Sequence, residues 1–310
     1  MSATGAATAA LRRGALAAVV RGGPVLEVTS LTHDGAELLV PGHELPAPFA
    51  VHGDHGGIAF LHPWANRLGA DAYALAGRRA ALPPDAPGVT RDDGGRPIHG
   101  LRAPGPGWAV DADGPAGARA RLEHPGEDGS PFPFPHAVEV AVTLTDSGLE
   151  ATARVAATTD VPVPVAVGWH PYLRLPGAAR RDWRLGAPPR RHLLAGPDGL
   201  PDGHERDEGA EDAPLAARAF DDGYRVDPPA PWTLSDGHRT LRVRPLAGFP
   251  VVQLFAPTSA DVVSIEPMAA PVDALRHGTG IGWARPGAPF AVAFALDVEA
   301  RGAPGYRCCG

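Results

Sequence analysis

Prolines and glycines are so frequent in this sequence that long helices have almost no room to form. The 310 residues include 36 prolines and 39 glycines, which interrupt nearly every window that would hold three helical turns. Proline removes a backbone donor and clashes with the preceding turn, and glycine carries a large entropic cost in a helix. A short helix is predicted only at residues 213–220. The chain is therefore expected to fold mainly from strands.

Short segments with strand-like patterns recur along the chain between Gly/Pro turns. A first hairpin is predicted from residues 25–31 and 36–40, turned by His33-Asp34-Gly35. Further strands are predicted at residues 119–123, 138–145, 149–157, 161–168, 241–244, 251–255, 261–266 and 290–298. Many short strands with such turns are typical of an antiparallel sandwich or barrel. The predicted fold class is all-β, with many antiparallel strands and few short helices.

The domain organisation predicted from the sequence is simple. Residues 1–20 are rich in alanine and are expected to form a flexible N-terminal tail or an edge strand. No internal repeat and no clear linker divides residues 21–300, so these are predicted to be a single domain, followed by a C-terminal tail at 301–310. The Pro-rich stretches 81–95 and 186–212 are expected to be surface loops of that domain.

Charge and composition exclude several classes of function. A net charge of −7 disfavours nucleic acid or an anionic membrane as the partner, and no apolar run approaches the roughly 20 residues that span a bilayer. The two cysteines, Cys308 and Cys309, are adjacent and offer no disulfide framework. All 28 basic residues are arginine, so mechanisms that use a lysine are excluded. We expect a cytoplasmic protein with a small-molecule partner, and the sequence leaves its oligomeric state open.

The segment 167–175 contains the first candidate for chemistry. It follows the apolar run 161–167, which is predicted to bring His170 to the point where a strand becomes a loop. A histidine there can exchange a proton near neutral pH. The alternative is an imidazole that only satisfies a backbone group.

Four further stretches place polar side chains in strand-like or turn-like surroundings. Glu266 is the most informative, because it ends a strand made of Val and Ile, where a buried carboxylate is costly unless it is paired or functional. Taken singly, the other polar residues have ordinary explanations as ion pairs, turns and caps. The stretches are 62–68 with Asn66 and Arg67, 97–100 with His99, 220–224 with Asp221 and Asp222, and 262–268 with Glu266.

Taken together and in this order, the five motifs resemble those of the aldose 1-epimerase (galactose mutarotase) family. The resemblance extends from about residue 25 to residue 298. It implies the β-supersandwich of the galactose mutarotase type, which agrees with the scarcity of predicted helices. It also implies that the motifs converge on one sugar-binding cleft. Met268 stands where family members carry a polar residue, which leaves the sugar preference open.

The resemblance implies a role for each site residue. His170 matches the general acid of the family and Glu266 its general base. Arg67 and His99 match ligands of sugar hydroxyls, and Asp221 matches a hydroxyl acceptor, although Asp222 competes for that role. The substrate-binding set is completed by Asn66, Gln253 and Tyr172, and an apolar face for the sugar is expected from Trp64, Trp108, Trp169 or Tyr172.

The chemistry explains why these residue types are needed. To open a pyranose ring, a carboxylate takes the proton from the anomeric hydroxyl while an imidazolium gives one to the ring oxygen. Rotation about the C1–C2 bond then exposes the other face of the carbonyl, and the proton transfers reverse. No cofactor and no metal are required. The predicted function is an isomerase that interconverts the α and β anomers of a free aldohexose such as glucose or galactose.

The sequence leaves three different functions open. A hexose-6-phosphate 1-epimerase would need a cationic cradle for the phosphate, for which Arg78, Arg79, Arg102 and Arg174 are available. A glycoside hydrolase would use Asp221 and Glu266 as its carboxylate pair. A non-catalytic sugar-binding protein would be expected to lose the acid or the base.

A metal site built from His52, His55 and His62 is also conceivable. The spacing is Gly-rich and lacks a nearby cysteine, so histidines in a solvated loop are the preferred interpretation. The sequence therefore predicts an enzyme site without metal.

Overall fold

The computed structural model describes residues 7–45 and 56–300, and antiparallel strands dominate both ranges. The described strands are, in chain order, β1 Thr8–Arg13, β2 Leu16–Arg21, β3 Glu27–His33, β4 Ala36–Glu37, β5 Ile58–Leu61, β6 Ala72–Leu75, β7 Arg78–Ala81, β8 Val89–Arg91, β9 Pro97–Leu101, β10 Ala109–Ala112, β11 Gly117–His124, β12 His136–Leu144, β13 Gly148–Ala157, β14 Val163–Val165, β15 Gly168–Leu173, β16 Arg184–Ala187, β17 Arg190–Ala195, β18 Pro201–Glu208, β19 Glu211–Pro214, β20 Phe220–Arg225, β21 Trp232–Ser235, β22 Arg239–Ala247, β23 Val251–Ala256, β24 Val263–Met268, β25 Gly282–Ala284 and β26 Phe290–Ala300. The helical elements in these ranges are the α-helix α1 Ala274–His277 and the 3₁₀ turns Gly42–Glu44 and Arg180–Asp182. None of these helices is long and apolar enough to cross a membrane.

Two large sheets organise the described strands. The first sheet has the order β1-β2-β3-β5-β15-β24-β23-β20-β17-β18, with β4 added beside β3. The second sheet has the order β10-β11-β12-β13-β26-β22-β21-β16-β19. Short pairs, β14-β25, β6-β7 and β8-β9, lie outside them. This is the predicted all-β architecture, with many antiparallel strands and few short helices.

The main hydrophobic core lies between the two sheets. Trp169 on β15 packs against Phe294 on β26, with ring centroids 5.5 Å apart. Successive side chains of a strand point to opposite faces, so His170, the next residue after Trp169, points away from this core. The same alternation applies on β24, where Ile265 belongs to the core and Glu266 faces outward. Both candidate catalytic residues therefore lie on the outer face of the first sheet.

The predicted strands at 138–145, 149–157 and 290–298 are confirmed, and some other predictions are wrong. The predicted strand 161–168 is divided into β14 and the start of β15, which belong to different sheets. Residues 213–220 are not a helix, because β19 runs to Pro214 and β20 begins at Phe220. The expected loop at 186–212 contains β17 and β18, the last two strands of the first sheet, and β18 is its charged and exposed edge strand. Charged side chains on an edge strand hinder pairing with another chain, which explains strands without an apolar pattern.

The structure describes the N-terminal segment from residue 7 onward but not the predicted C-terminal tail. Residues 8–21 form the hairpin β1-β2 at the other edge of the first sheet, and Leu11 and Leu16 are buried in the core. The predicted C-terminal tail at 301–310 lies outside the described residues. The organisation of 21–300 as a single domain stays a prediction.

Three imidazoles pack together near the end of β5, two of them buried (His62 and His136) and one partly buried (His124). The Nε2 atoms of His62 and His136 lie 2.7 Å apart, and His136 Nδ1 lies 2.6 Å from the carbonyl oxygen of Phe134. A carbonyl only accepts, so Nδ1–H of a neutral His136 donates to it, and His136 Nε2 accepts a hydrogen bond from Nε2–H of His62. His124 completes the cluster, with its ring centroid 5.0 Å from that of His136. Burial lowers the pKa of all three residues, that of His136 to about 3.

Because of this cluster, we expect the protein to lose stability in mild acid. Unfolded imidazoles take up protons below about pH 6.5 whereas the buried ones do not, so the free energy of unfolding falls as the pH drops below that value. The double variant His62→Leu/His136→Leu removes both members of the hydrogen-bonded pair. Urea unfolding at pH 7.5 and pH 5 should show a smaller loss in the variant than in the wild type. Equal losses would contradict this account of the cluster.

Candidate active site

His170 and Glu266 come together because their strands are neighbours in the first sheet. The register of β15 and β24 pairs Tyr172 with Ser264, which places His170 opposite Glu266 two residues along. Side chains directly opposite in a ladder lie on the same face and in contact. His170 Nε2 lies 3.3 Å from Glu266 Oε1, and the two residues are 5% and 1% exposed. Both lie inside their strands, not at a strand end as the sequence suggested.

The same face of the sheet adds Gln253 and Asp221. Gln253 on β23 is the ladder partner of Glu266, and it is buried. Its Nε2 donates a hydrogen bond of 2.8 Å to Asp221 Oδ1, and Asp221 lies on the next strand, β20. A row of polar side chains thus crosses neighbouring strands and continues from His170 to Asp221.

Asp222 does not belong to this row. Strand alternation directs it to the opposite face of β20, where Oδ1 lies 3.1 Å from His192 Nε2. Asp221, in contrast, lines the cavity in front of the row. Of the two candidates for a sugar ligand, Asp221 is therefore the one that the strand brings to the site.

Asn66 and Arg67 reach the site from the connection between β5 and β6. Asn66 has a positive φ of 57°, which asparagine tolerates better than most residues, and its Oδ1 accepts the backbone N–H of Arg67 at 2.7 Å. The Arg67 guanidinium donates from Nε to Asp92 Oδ2 at 2.9 Å and from NH2 to Asp221 Oδ2 at 3.2 Å. Asp221 is thus held between Arg67 and Gln253.

His99 and Tyr172 enclose the imidazole of His170. The His99 ring lies edge-on to it, with centroids 5.1 Å apart and planes at 82°. The Tyr172 ring stacks on it at 4.2 Å and 22°. His99 has a positive φ of 59°, an uncommon conformation for a non-glycine residue that often occurs at functional sites. Gly100 follows it, and a Cβ there would lie 2.1 Å from the His62 carbonyl oxygen, so glycine is required.

Three members of the row, His170, Glu266 and Asp221, line a cavity of about 350 Å³. This volume is at the lower end of the range for small-molecule sites and suits one sugar ring. Of the eight residues predicted from the sequence, the following line the cavity: Asn66, Arg67, His99, His170, Tyr172, Asp221 and Glu266. Gln253, the eighth, does not line it and touches the site through Asp221.

Other expected residues lie elsewhere. Trp64, Trp108 and Trp169 are buried in the main core, so they offer no face to a ligand in this cavity. His62 pairs with His136, whereas His52 and His55 lie outside the described residues. Within the described ranges, no group of three or more His, Cys, Asp or Glu side chains is placed to hold a metal ion.

Sequence reasoning missed three acidic residues that line the cavity. Asp92 and Asp93 lie in the turn between β8 and β9, and Asp198 lies in the turn between β17 and β18. Their sequences, Asp-Asp-Gly-Gly and Pro-Asp-Gly, are strong turn signals, and a turn signal says nothing about what the turn faces. The one signal in the sequence that could have identified Asp92 is that it lies in the turn just before the strand that carries His99.

The surroundings of Glu266 make it a stronger base than an exposed carboxylate. Its pKa is raised well above the ordinary value, chiefly by burial and further by the negative charge of Asp221, while Arg67 acts in the opposite direction. Its Oε2 has no hydrogen-bond partner within the described structure. A buried acceptor without a partner is costly, and it is free to take a proton from a ligand in the cavity.

The sequence profile of the aldose 1-epimerase family matches residues 22–293. The chain belongs to the aldose 1-epimerase family. It is therefore an isomerase that acts as an epimerase, and a carbohydrate is the substrate class of that family. No curated protein sequence matches the chain closely enough to add to this assignment.

Solved structures similar to this aldose 1-epimerase family member share its fold. A galactose mutarotase-like protein from Clostridium acetobutylicum matches with a TM-score of 0.78 and 15% identity, over 95% of each chain. One from Lactobacillus casei matches with a TM-score of 0.73 and 19% identity, over 94% of this chain and 100% of that one. A galactose 1-epimerase from Lactobacillus acidophilus matches with a TM-score of 0.66 and 15% identity, over 95% and 98%. The predicted galactose mutarotase-type fold is thereby confirmed.

Proposed function

We propose that this protein is an aldose 1-epimerase that interconverts the α and β anomers of a free aldohexose such as glucose or galactose. The observation that carries the proposal is the contact between His170 and Glu266, which are buried at 3.3 Å from each other in a cavity sized for one sugar ring. A base and an acid in contact on one wall can reach the two adjacent oxygens of an anomeric centre. The galactose 1-epimerase from L. acidophilus, which shares the fold, is named for a reaction of this type.

Ring opening and ring closure in the proposed reaction each need two proton transfers. Glu266 takes the proton of the O1 hydroxyl, the C1–O5 bond breaks as C1 becomes a carbonyl, and protonated His170 delivers a proton to O5. Rotation about C1–C2 presents the other face of the carbonyl. His170 then takes the O5 proton back as O5 attacks C1, and Glu266 returns its proton to O1. The protons balance, and the product is the other anomer.

The remaining site residues bind and orient the sugar. Arg67 and His99 donate to hydroxyls and stabilise charge that develops on the ring oxygen, and Asp221 accepts from a hydroxyl. Asn66 fixes the backbone of Arg67, and Gln253 fixes the carboxylate of Asp221. Tyr172 supplies the aromatic surface next to His170.

Charge in the cavity favours a free sugar over a phosphorylated one. Among the described lining residues, Arg67 is the only arginine, and it is already paired with two aspartates. The arginines considered for a phosphate lie elsewhere: Arg78 pairs with Asp128 and Arg174 with Glu44. The carboxylates that line the cavity are Asp92, Asp93, Asp198, Asp221 and Glu266. A phosphate dianion would be repelled there.

A glycoside hydrolase and a non-catalytic binding protein fit the site less well. The hydrolase would need Asp221 as a proton donor or nucleophile, but Arg67 and Gln253 donate to its two oxygens and hold it as a hydrogen-bond acceptor. The remaining lone pairs of Asp221 can still accept from a sugar hydroxyl. A non-catalytic binding protein has no use for a buried acid–base pair, which is costly to maintain. The epimerase uses every member of the row.

A polarimetric panel of sugars tests the proposal. The purified protein should accelerate the mutarotation of fresh α-D-glucose or α-D-galactose without added metal. Because of the acidic cavity, kcat/KM for the 6-phosphorylated hexose should be lower by about 10-fold or more than for the free one. A rate equal to that of buffer with all the free aldohexoses would remove the proposed function. A preference for the phosphorylated sugars would identify a hexose-6-phosphate 1-epimerase instead.

A further inference from the structure

The backbone of Arg67 is fixed from outside the cavity. The backbone N–H of Asp273 donates to the carbonyl oxygen of Arg67 at 3.0 Å, and Asp273 Oδ1 accepts the N–H of Gly69 at 2.7 Å. Asp273 is buried at the start of the short helix α1. The main freedom left to Arg67 is therefore the rotation of its long side chain, which is entropically costly to restrict.

Two carboxylates restrict that side chain, and they are not equivalent. The side chain of Asp92, which accepts from Nε, is 10% exposed, whereas that of Asp221, which accepts from NH2, is 44% exposed. A less exposed ion pair is less screened by water and salt. The Asp92 carboxylate is itself anchored, because its Oδ1 accepts the backbone N–H of Arg96 at 2.8 Å. Asp92 is thus the more rigid of the two partners.

The arrangement leaves one end of the guanidinium available. Nε and NH2 are engaged, and no acceptor in the described residues bonds to NH1. NH1 lies 3.9 Å from the position that a Cβ on Gly199 would occupy, and Gly199 lines the cavity. Arg67 itself lines the cavity, so NH1, the end without an acceptor in the described chain, is the part of the guanidinium left for a ligand there.

We propose that Asp92 is a positioning residue, which holds Nε of Arg67 so that NH1 is presented to a sugar oxygen. The inference rests on the proposed function and assigns to Asp92 a role that acts through Arg67. Without Asp92, the guanidinium turns toward Asp221 and forms a two-point pair with it, since a planar fork matches a carboxylate in that way. That pair withdraws both Arg67 and Asp221 from the sugar.

Kinetics of Asp92 variants test the proposal. Asp92→Ala should lower kcat/KM for the preferred aldose by about 10-fold or more, and Asp92→Asn should lose less, because its amide oxygen still accepts from Nε. Asp128→Ala is the matched control, since it breaks an Arg–Asp pair of 2.8 Å with Arg78 away from the cavity. The control should keep wild-type kinetics. Wild-type kinetics in Asp92→Ala would overturn the proposal.

A double-mutant cycle separates positioning from a general structural role. In an Arg67→Ala background, Asp92→Ala should change kcat/KM by less than about 2-fold, because Asp92 then has nothing to position. The same 10-fold loss in both backgrounds would overturn the proposal even if Asp92→Ala itself is impaired. If Asp92→Ala does not fold, Asp92→Asn replaces it in the cycle. Its loss in kcat/KM should be smaller in the wild-type background and should again disappear in the Arg67→Ala background.

A spectroscopic readout does not depend on activity. In protein labelled with ¹⁵N-arginine, the Nε–H signal of Arg67 is identified as the one absent from Arg67→Lys. It should exchange slowly with solvent in the wild type and rapidly in Asp92→Ala; equal exchange would overturn the proposal. If the wild type has no mutarotase activity, the proposed function is removed and this inference with it. If the wild type is active and Asp92→Ala keeps its kinetics, only this inference is overturned.

Discussion

Glu266→Gln is expected to lower kcat for anomer interconversion by about 10²-fold or more. Glutamine has the same size and can occupy the same place beside His170, but its amide cannot take up the proton of the anomeric hydroxyl. The wild-type Oε2 is buried and has no partner in the described residues, so it is the atom placed for that transfer. Initial rates by polarimetry over a range of sugar concentrations would give kcat and KM separately. Near-normal turnover would show that Glu266 is not the base.

The stability of this variant provides its control. Burial raises the pKa of Glu266, so ionising this carboxyl group costs more in the folded state than in the unfolded one, and the free energy of unfolding falls as the pH rises toward the folded-state pKa. Glutamine does not ionise, and the variant should therefore melt at the same temperature as the wild type, or higher, at pH 8. A variant that is inactive and also much less stable would leave unfolding as the cause of its lost activity.

His170→Ala is expected to have an effect of similar size, a loss of about 10²-fold or more in kcat. The substitution removes the group that gives a proton to the ring oxygen and leaves Glu266 without its partner at 3.3 Å. His204→Ala is the matched control, because His204 lies on the edge strand β18 with its side chain 79% exposed. Polarimetry of the three proteins at one pH measures the difference.

The result for His170→Ala is interpretable only if the fold is intact. Tyr172 stacks on His170, so near-ultraviolet circular dichroism should show a local change while the melting transition stays cooperative. Turnover within a few-fold of the wild type would contradict the assignment of His170 as the acid. An equal loss in His204→Ala would point to a cause other than acid catalysis.

Strands with one buried face and one more exposed face were predictable from the sequence. In β12 and β13, buried residues alternate with exposed ones, and this pattern is visible as alternating apolar positions. β5 was not predicted, because Ile58–Leu61 is buried on both faces. Its apolar residues therefore do not alternate with polar ones, and the run is too short to show a pattern. The edge strand β18 was missed for the opposite reason, since it is charged and exposed along its length.

Seven of the eight candidate residues line one cavity, and how they contact each other there was not predictable from the sequence. The motifs around Arg67, His99, His170, Asp221 and Glu266 identify the family because they occur together and in order. The contact between His170 and Glu266 depends on the register of two strands far apart in sequence, which no local pattern encodes. Asp92 was missed because its sequence signals only a turn, whereas its partner Arg67 lies in another part of the chain.

The most direct measurement of the central claim is magnetisation exchange between the H1 protons of the two anomers in an equilibrated solution of glucose or galactose. The technique observes ring opening and closure at equilibrium and needs no coupled enzyme. We expect exchange well above the buffer rate with the wild-type protein, and an enzyme-dependent exchange rate lower by about 10²-fold or more with Glu266→Gln. Exchange at the buffer rate with the wild type, or undiminished exchange with Glu266→Gln, would contradict the central claim.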